Sequence, residues 1–175
     1  PACLPTWTLS QIQNLVGLPY EKAGALILHG FFDEIPQEKM EALCAEAYAS
    51  FSDARRVPVS PIEPGLFAME LYHGPTLAFK DVALQLLPLL MAYSAKATGQ
   101  KEKSLILVAT SGDTGKAALE GFADKPDTAI VVCYPNNGVS PAQKLQMVTQ
   151  KGGNVCVTAV EGNFDDCQNG VKRLM

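Results

Sequence analysis

Two histidines and five cysteines are all that 175 residues supply, and no two cysteines stand at CxxC spacing. Zinc centres and disulfide frameworks need such clusters, so no metal site is expected. Scattered thiols at Cys3, Cys44, Cys133, Cys156 and Cys167 fit a reduced, cytoplasmic protein. Basic residues are also scarce. The 14 Lys and Arg stand against 18 Asp and Glu, giving a net charge of −4 and a pI near 5.2. They form no stripe, which argues against nucleic acid or an anionic membrane as partner. The longest apolar run, Val82 to Tyr93, falls short of the roughly 20 residues a membrane span needs. It also contains Gln85 and Pro88. No signal-peptide pattern, internal repeat or low-complexity segment is visible. What remains is a globular composition, 47% apolar and 18% charged. A chain of this length buries about 70% of its extended surface.

The first third reads as helical. Pro1 to Trp7 is irregular, and Thr8 or Ser10 is placed to cap a short helix toward Val16 that Pro19 closes. Tyr20 to Phe31 reads as a second helix, and Ile35-Pro36-Gln37-Glu38 opens a third. In that third helix Met40, Leu43, Cys44, Ala47, Tyr48 and Phe51 fall at helical spacing, one stripe for a core. A cap packed on a catalytic core is the expected role, and a docking surface the alternative. Pro58, Pro61, Pro64 and Gly65 mark Asp53 to Leu66 as a loop and joint. Phe67 to Tyr72 is a strand candidate. After Lys80 the pattern predicts one buried helix, apolar on nearly all sides and interrupted at Pro88. Ala95 to Lys103 is polar and exposed.

From Ser104 onward strands alternate with helices. Strands are expected at Leu105 to Ala109, Thr128 to Tyr134 and Asn154 to Val160. Helices are expected at Lys116 to Ala123, from the Ser140-Pro141 cap to Gln150, and at Phe164 to Met175. Such alternation implies a parallel sheet with helices on both faces. The fold class is therefore α/β, a helical N-terminal cap region (1–66) followed by part of a doubly wound parallel sheet. Residues 67–103 are expected to belong to a large catalytic domain and 104–175 to a small α/β domain.

Two windows carry chemistry. In Leu71 to Leu90 the cation Lys80 follows the turn His73-Gly74-Pro75-Thr76 and starts a helical pattern. Burial and the positive end of a helix dipole both favour the neutral amine that Schiff-base chemistry requires. The plain alternative is a lysine that lays its stem on apolar surface and keeps its head in water. In Leu105 to Gly115 the turn Ser111-Gly112-Asp113-Thr114-Gly115 joins a strand end to a helix start, where open α/β sheets bind ligands and free N–H groups favour anions. Helix capping by Asp113 or Thr114 explains the same residues without a ligand. A P-loop would need Gly at Thr110 and Ser or Thr at Ala117. A nucleophile elbow would need Gly at Ala109 and Asp113. Neither pattern holds.

Taken together, HGPTLAFKD (73–81) and ATSGDTGKAA (109–118) closely resemble threonine synthase, a pyridoxal-phosphate enzyme of the tryptophan-synthase-β-like fold type II. The similarity extends to QKLQMVTQKGGNV and VEGNFDDCQNGVK further on. It implies pyridoxal 5'-phosphate as cofactor, held covalently by Lys80, and O-phosphohomoserine as the small-molecule substrate. By the same resemblance Ser111, Gly112 and Thr114 would contact the substrate carboxylate and Asp113 would approach the cofactor ring, where many relatives of the fold type place Asn. His73 would be a gating or hydrogen-bonded turn residue, and Lys116 either a phosphate contact or a solvated lysine. Gly162-Asn163-Phe164-Asp165 is similar to the family's cofactor-phosphate loop but stands too early, and reads as a loop and helix cap. Family members are more than twice this long, so the chain is expected to be an internal piece that binds the cofactor poorly alone. Two rivals remain: a threonine-synthase-like phospho-lyase that yields a keto acid, and a non-catalytic interaction module. Oligomeric state is not legible.

Overall fold

The structure, a computed structural model, describes residues 4–175, so Cys3 lies outside the described residues. Contacts divide the chain after His73 into two compact units.

In the first unit α1 (Leu9–Gln13) starts at Thr8, whose side chain accepts from Gln11 N while the Gln11 side chain accepts from Thr8 N. This reciprocal cap selects Thr8 over Ser10. Two further helices, α2 (Tyr20–His29) and α3 (Gln37–Tyr48), pack on each other. All six residues of the predicted stripe, Met40 through Phe51, are buried. Tyr48 meets Tyr20 and Phe51 edge to face, with ring centroids 5.2 and 5.4 Å apart. Burial pushes the Cys44 thiol up to about 11 and raises the Tyr48 hydroxyl as well.

The proline-rich segment is a loop only from Asp53 to Pro58. Val59–Glu63 (β1) and Leu66–Met69 (β2) form an antiparallel hairpin with Pro61 opposite Phe67, turning at Gly65. Proline forfeits a ladder bond only where its N–H would have been needed. In a two-stranded ribbon each strand has one open edge, so Pro61 is tolerated within β1, while Pro58 precedes the strand and Pro64 stands in the turn.

The second unit opens with α4 (Asp81–Leu84) and α5 (Leu87–Thr98). The expected single helix is thus two, because Pro88 sits in the first turn of α5, where a missing N–H costs nothing. Its surroundings are also less uniform than predicted: Asp81, Leu86, Pro88 and Leu89 are buried, whereas Leu77, Phe79 and Leu87 are exposed. The Leu84 carbonyl faces Gly121, where any side chain would collide with it. Gly99, in the left-handed region, ends α5.

Three parallel strands follow, β3 (Ser104–Ala109), β4 (Thr128–Pro135) and β5 (Val155–Val160), in the order β3-β4-β5. Between and after them run α6 (Asp113–Phe122), α7 (Pro141–Val148) and α8 (Phe164–Leu174). Strand alternation assigns the faces of the sheet. Ile130, Val132 and Tyr134 form one core with Ala118, Leu119 and Phe122 of α6 and Met147 of α7. On the opposite face Leu107, Val131 and Cys133 line an apolar cleft with Cys167, Val171 and Leu174 of α8. Helices cover both faces of the sheet. At its N-terminal end Asn154 Nδ2 donates to the carbonyls of Phe122 (2.9 Å) and Thr128 (3.2 Å), tying α6 to β4. Among the described residues no helix is long and apolar enough to cross a membrane.

Candidate functional site

The C-terminal ends of the three strands each lead into a helix N-terminus. Ser140 caps α7 and Asn163 caps α8, each reciprocated by the residue three positions on, Gln143 and Asp166. Asn163 therefore serves as the helix cap its sequence indicated.

The turn after β3 is built differently. Thr110, 2% exposed, directs its hydroxyl inward, where it accepts from Gly112 N (3.0 Å) and Gly115 N (2.9 Å) and donates to Gly112 O (3.1 Å). One buried hydroxyl thereby satisfies the Gly112 amide, which burial would otherwise strand, and reinforces Gly115 N, which also donates to Gly112 O at 3.1 Å. Gly112 adopts φ 146° and ψ −101°, a conformation open in practice only to glycine, with the Gln143 carboxamide against it. The consequence is that α6 begins at Asp113, three residues earlier than predicted. Asp113 and Thr114 belong to its first turn. Ser111, Asp113 and Thr114 are exposed, Gly112 is buried.

Lys80 lies in a second turn, Gly74 to Asp81. Asp81 is only 1% exposed, and its carboxylate accepts from Thr76 N (2.8 Å) and Thr76 Oγ1 (2.7 Å). A Cβ on Gly74 would lie 2.5 Å from Asp81 Oδ2, so the loop closes only with glycine there. Lys80 comes immediately before this clamp, at the N-cap position of α4. Its side chain is half-buried, drier than a surface lysine but not enclosed as the apolar run had implied. The inward direction is taken by Asp81. Lys80 Nζ lies 4.4 Å from the centroid of the Phe79 ring and forms no ion pair among the described residues.

The structure brings Ser111, Gly112, Asp113 and Thr114 into one turn and sets Lys80 in another, with α4 packed on α6, the helix that Asp113 begins. Among the described residues no hydrogen bond joins Lys80 to that turn. His73 Nε2 pairs with Glu70 Oε2 at 2.7 Å, a hydrogen-bonded turn residue. Bonds from Ser60 and His73 hold the Glu70 carboxyl below its ordinary range. Lys116 is neither solvated nor free: it pairs with Glu120 at 3.0 Å and donates to Gln150. Sequence reasoning passed over Asp81, Thr110 and Gln143. Asp81 and Thr110 lie within the two motifs, but nothing in the sequence distinguishes them as buried anchors.

The fold matches solved proteins closely. The crystal structure of threonine synthase from Brucella melitensis with pyridoxal phosphate bound superposes with a TM-score of 0.88 at 43% identity, covering 98% of this chain and 37% of that one. The chain therefore has the α/β, tryptophan-synthase-β-like fold of the type II pyridoxal-phosphate enzymes. Among curated proteins it is 40% identical to threonine synthase of Pseudomonas aeruginosa over 98% of its length, and 35% identical to human threonine synthase-like 1 over 97%. It is a homologue of the threonine synthases, and it spans 36% of the Pseudomonas protein and 24% of the human one. No family model matches the chain.

Proposed function

We propose that these residues form the lysine-bearing part of a pyridoxal-phosphate-dependent threonine synthase, acting on O-phosphohomoserine and water to give threonine and phosphate. The observation that supports this most is Lys80 itself: an amine without an ion pair among the described residues, half-buried, set at the end of a turn that a buried carboxylate clamps. Such an amine is available to bond a carbonyl carbon, and the clamp keeps it from wandering. These residues fit the cofactor's aldehyde. Lys80 would hold it, and Asp113 would lie toward its ring. When bound, the cofactor supplies an electron sink for charge developed on the substrate carbon skeleton.

The protein's own groups do the rest. Lys80 Nζ, once released, would carry a proton to and from the substrate carbon chain. The Ser111 and Thr114 hydroxyls and the open amides of the first turn of α6 would take the α-carboxylate. Gly112 N–H is already directed to Thr110 Oγ1, so the part of Gly112 is to leave room for close approach.

The test uses the full natural chain. Lys80→Ala should remove the visible absorbance of lysine-bound cofactor and lower turnover by at least about 10²–10⁴-fold. Retained absorbance and turnover would remove Lys80 from this role. Product analysis of the unaltered protein should return threonine and phosphate. A keto acid with phosphate and no threonine would instead make it a phospho-lyase.

A further inference from the structure

Gln143 lies 30 residues from Asp113 in sequence, yet the two side chains meet. Gln143 Nε2 donates to Asp113 Oδ1 at 2.9 Å. The other end of the same carboxamide is already committed: Gln143 Oε1 accepts from Ser140 N at 3.1 Å, closing the cap of α7. Since the oxygen is held by Ser140, the amide can present only its NH₂ to Asp113. The carboxamide also packs under Gly112, where an added Cβ would lie 2.5 Å from Gln143 Cδ. Three features thus converge on one side chain: the cap of α7, the Asp113 carboxylate, and the backbone of the turn between β3 and α6.

We propose that Gln143 is a positioning residue for the Ser111–Thr114 turn, bracing Asp113 and the Gly112 backbone against the start of α7. The proposal rests on the reading of that turn as a carboxylate site, but the brace itself can be observed without any ligand. Gln143→Glu separates the two roles of the side chain. Glutamate keeps the size and still accepts from Ser140 N, so the helix cap survives. What it loses is the donor to Asp113, leaving two carboxylates face to face.

The experiment compares the full natural chain with its Q143E form and with the double variant D113N/Q143E, in which the carboxamide introduced at position 113 can donate to the carboxylate introduced at position 143. In ligand-free protein, amide hydrogen exchange at Gly112 and Gly115 should quicken at least tenfold in Q143E and slow again in the double variant, with Tm little changed. With pyridoxal phosphate present, the spectral response to L-norvaline, which has the amine and α-carboxylate but no phosphate, should require at least tenfold more amino acid in Q143E. The absorbance of cofactor alone should not change. Exchange in Q143E equal to that of the parent, or faster exchange that the second substitution does not reverse, overturns the brace. Faster, reversible exchange in a protein that never responds to L-norvaline leaves the brace standing and removes the carboxylate-site reading.

Discussion

In the turn that carries Lys80 the buried anchor is a carboxylate, and in the turn after β3 it is a hydroxyl. Asp81 grips a single residue, Thr76, through its amide and its side chain, and the loop is closed on itself. Thr110 spreads its hydroxyl over Gly112 and Gly115, and the turn it organises is tied onward, through Gln143, to α7. Each anchor lies next to the residue expected to do chemistry. In both cases the anchor is buried and its neighbour, Lys80 or Ser111, is more exposed. The difference is one of concentration. A charge taken out of water must be satisfied completely, and two donors from one partner make the Lys80 turn stiff but dependent on that partner. A neutral hydroxyl with several partners makes the other turn able to lose one bond and keep its shape.

The largest effect expected from this contrast is at Asp81. Asp81→Ala removes two charge-assisted bonds and leaves the Thr76 amide and hydroxyl buried without acceptors, a loss of about 3 kcal/mol. Urea unfolding of the full natural chain measures it. A loss below about 1 kcal/mol would mean that water replaces the carboxylate and that the turn is not self-contained. Thr110→Val keeps the volume but strands the Gly112 amide, while Gly115 N retains its bond to Gly112 O, and a smaller loss of about 1–2 kcal/mol is expected because the strand and helix on either side still hold the turn. If Thr110→Val proved the more damaging, the contrast would be reversed, and the distributed bonds would be the essential ones.

Neither anchor was legible in the sequence, and the reason is physical. A periodic stripe repeats its message, so Met40, Leu43, Cys44, Ala47, Tyr48 and Phe51 identified their shared face by spacing alone, as the strand-helix alternation after Ser104 identified the parallel sheet. A lone buried polar residue appears once. Whether Asp81 or Lys80 turns inward depends on what packs behind residue 74, which no local pattern encodes. Gln143 looked like an ordinary third residue of a helix, which it also is. Its bond to Asp113 exists only because β3 and β4 are neighbours. Pro61 misled in the opposite sense, since the usual meaning of proline fails on a ribbon with open edges, whereas Pro58 and Pro64 do stand in loop and turn.

The smallest effect distinguishes how the two turns reverse direction. The β3 turn uses Gly112, whereas the Lys80 turn places Leu77 at φ 63°, a left-handed conformation that costs a non-glycine residue about 1–2 kcal/mol. Its side chain is 68% exposed, so packing within the unit does not offset that cost. Leu77→Gly relieves it, at the expense of the extra freedom glycine has when unfolded, about 0.5–1 kcal/mol. The net gain expected in urea unfolding is therefore at most about 1.5 kcal/mol. Lower stability after the change would show that the Leu77 side chain is itself engaged in the full chain. Leucine would then be retained for contact, and the two turns would differ in purpose as well as in construction.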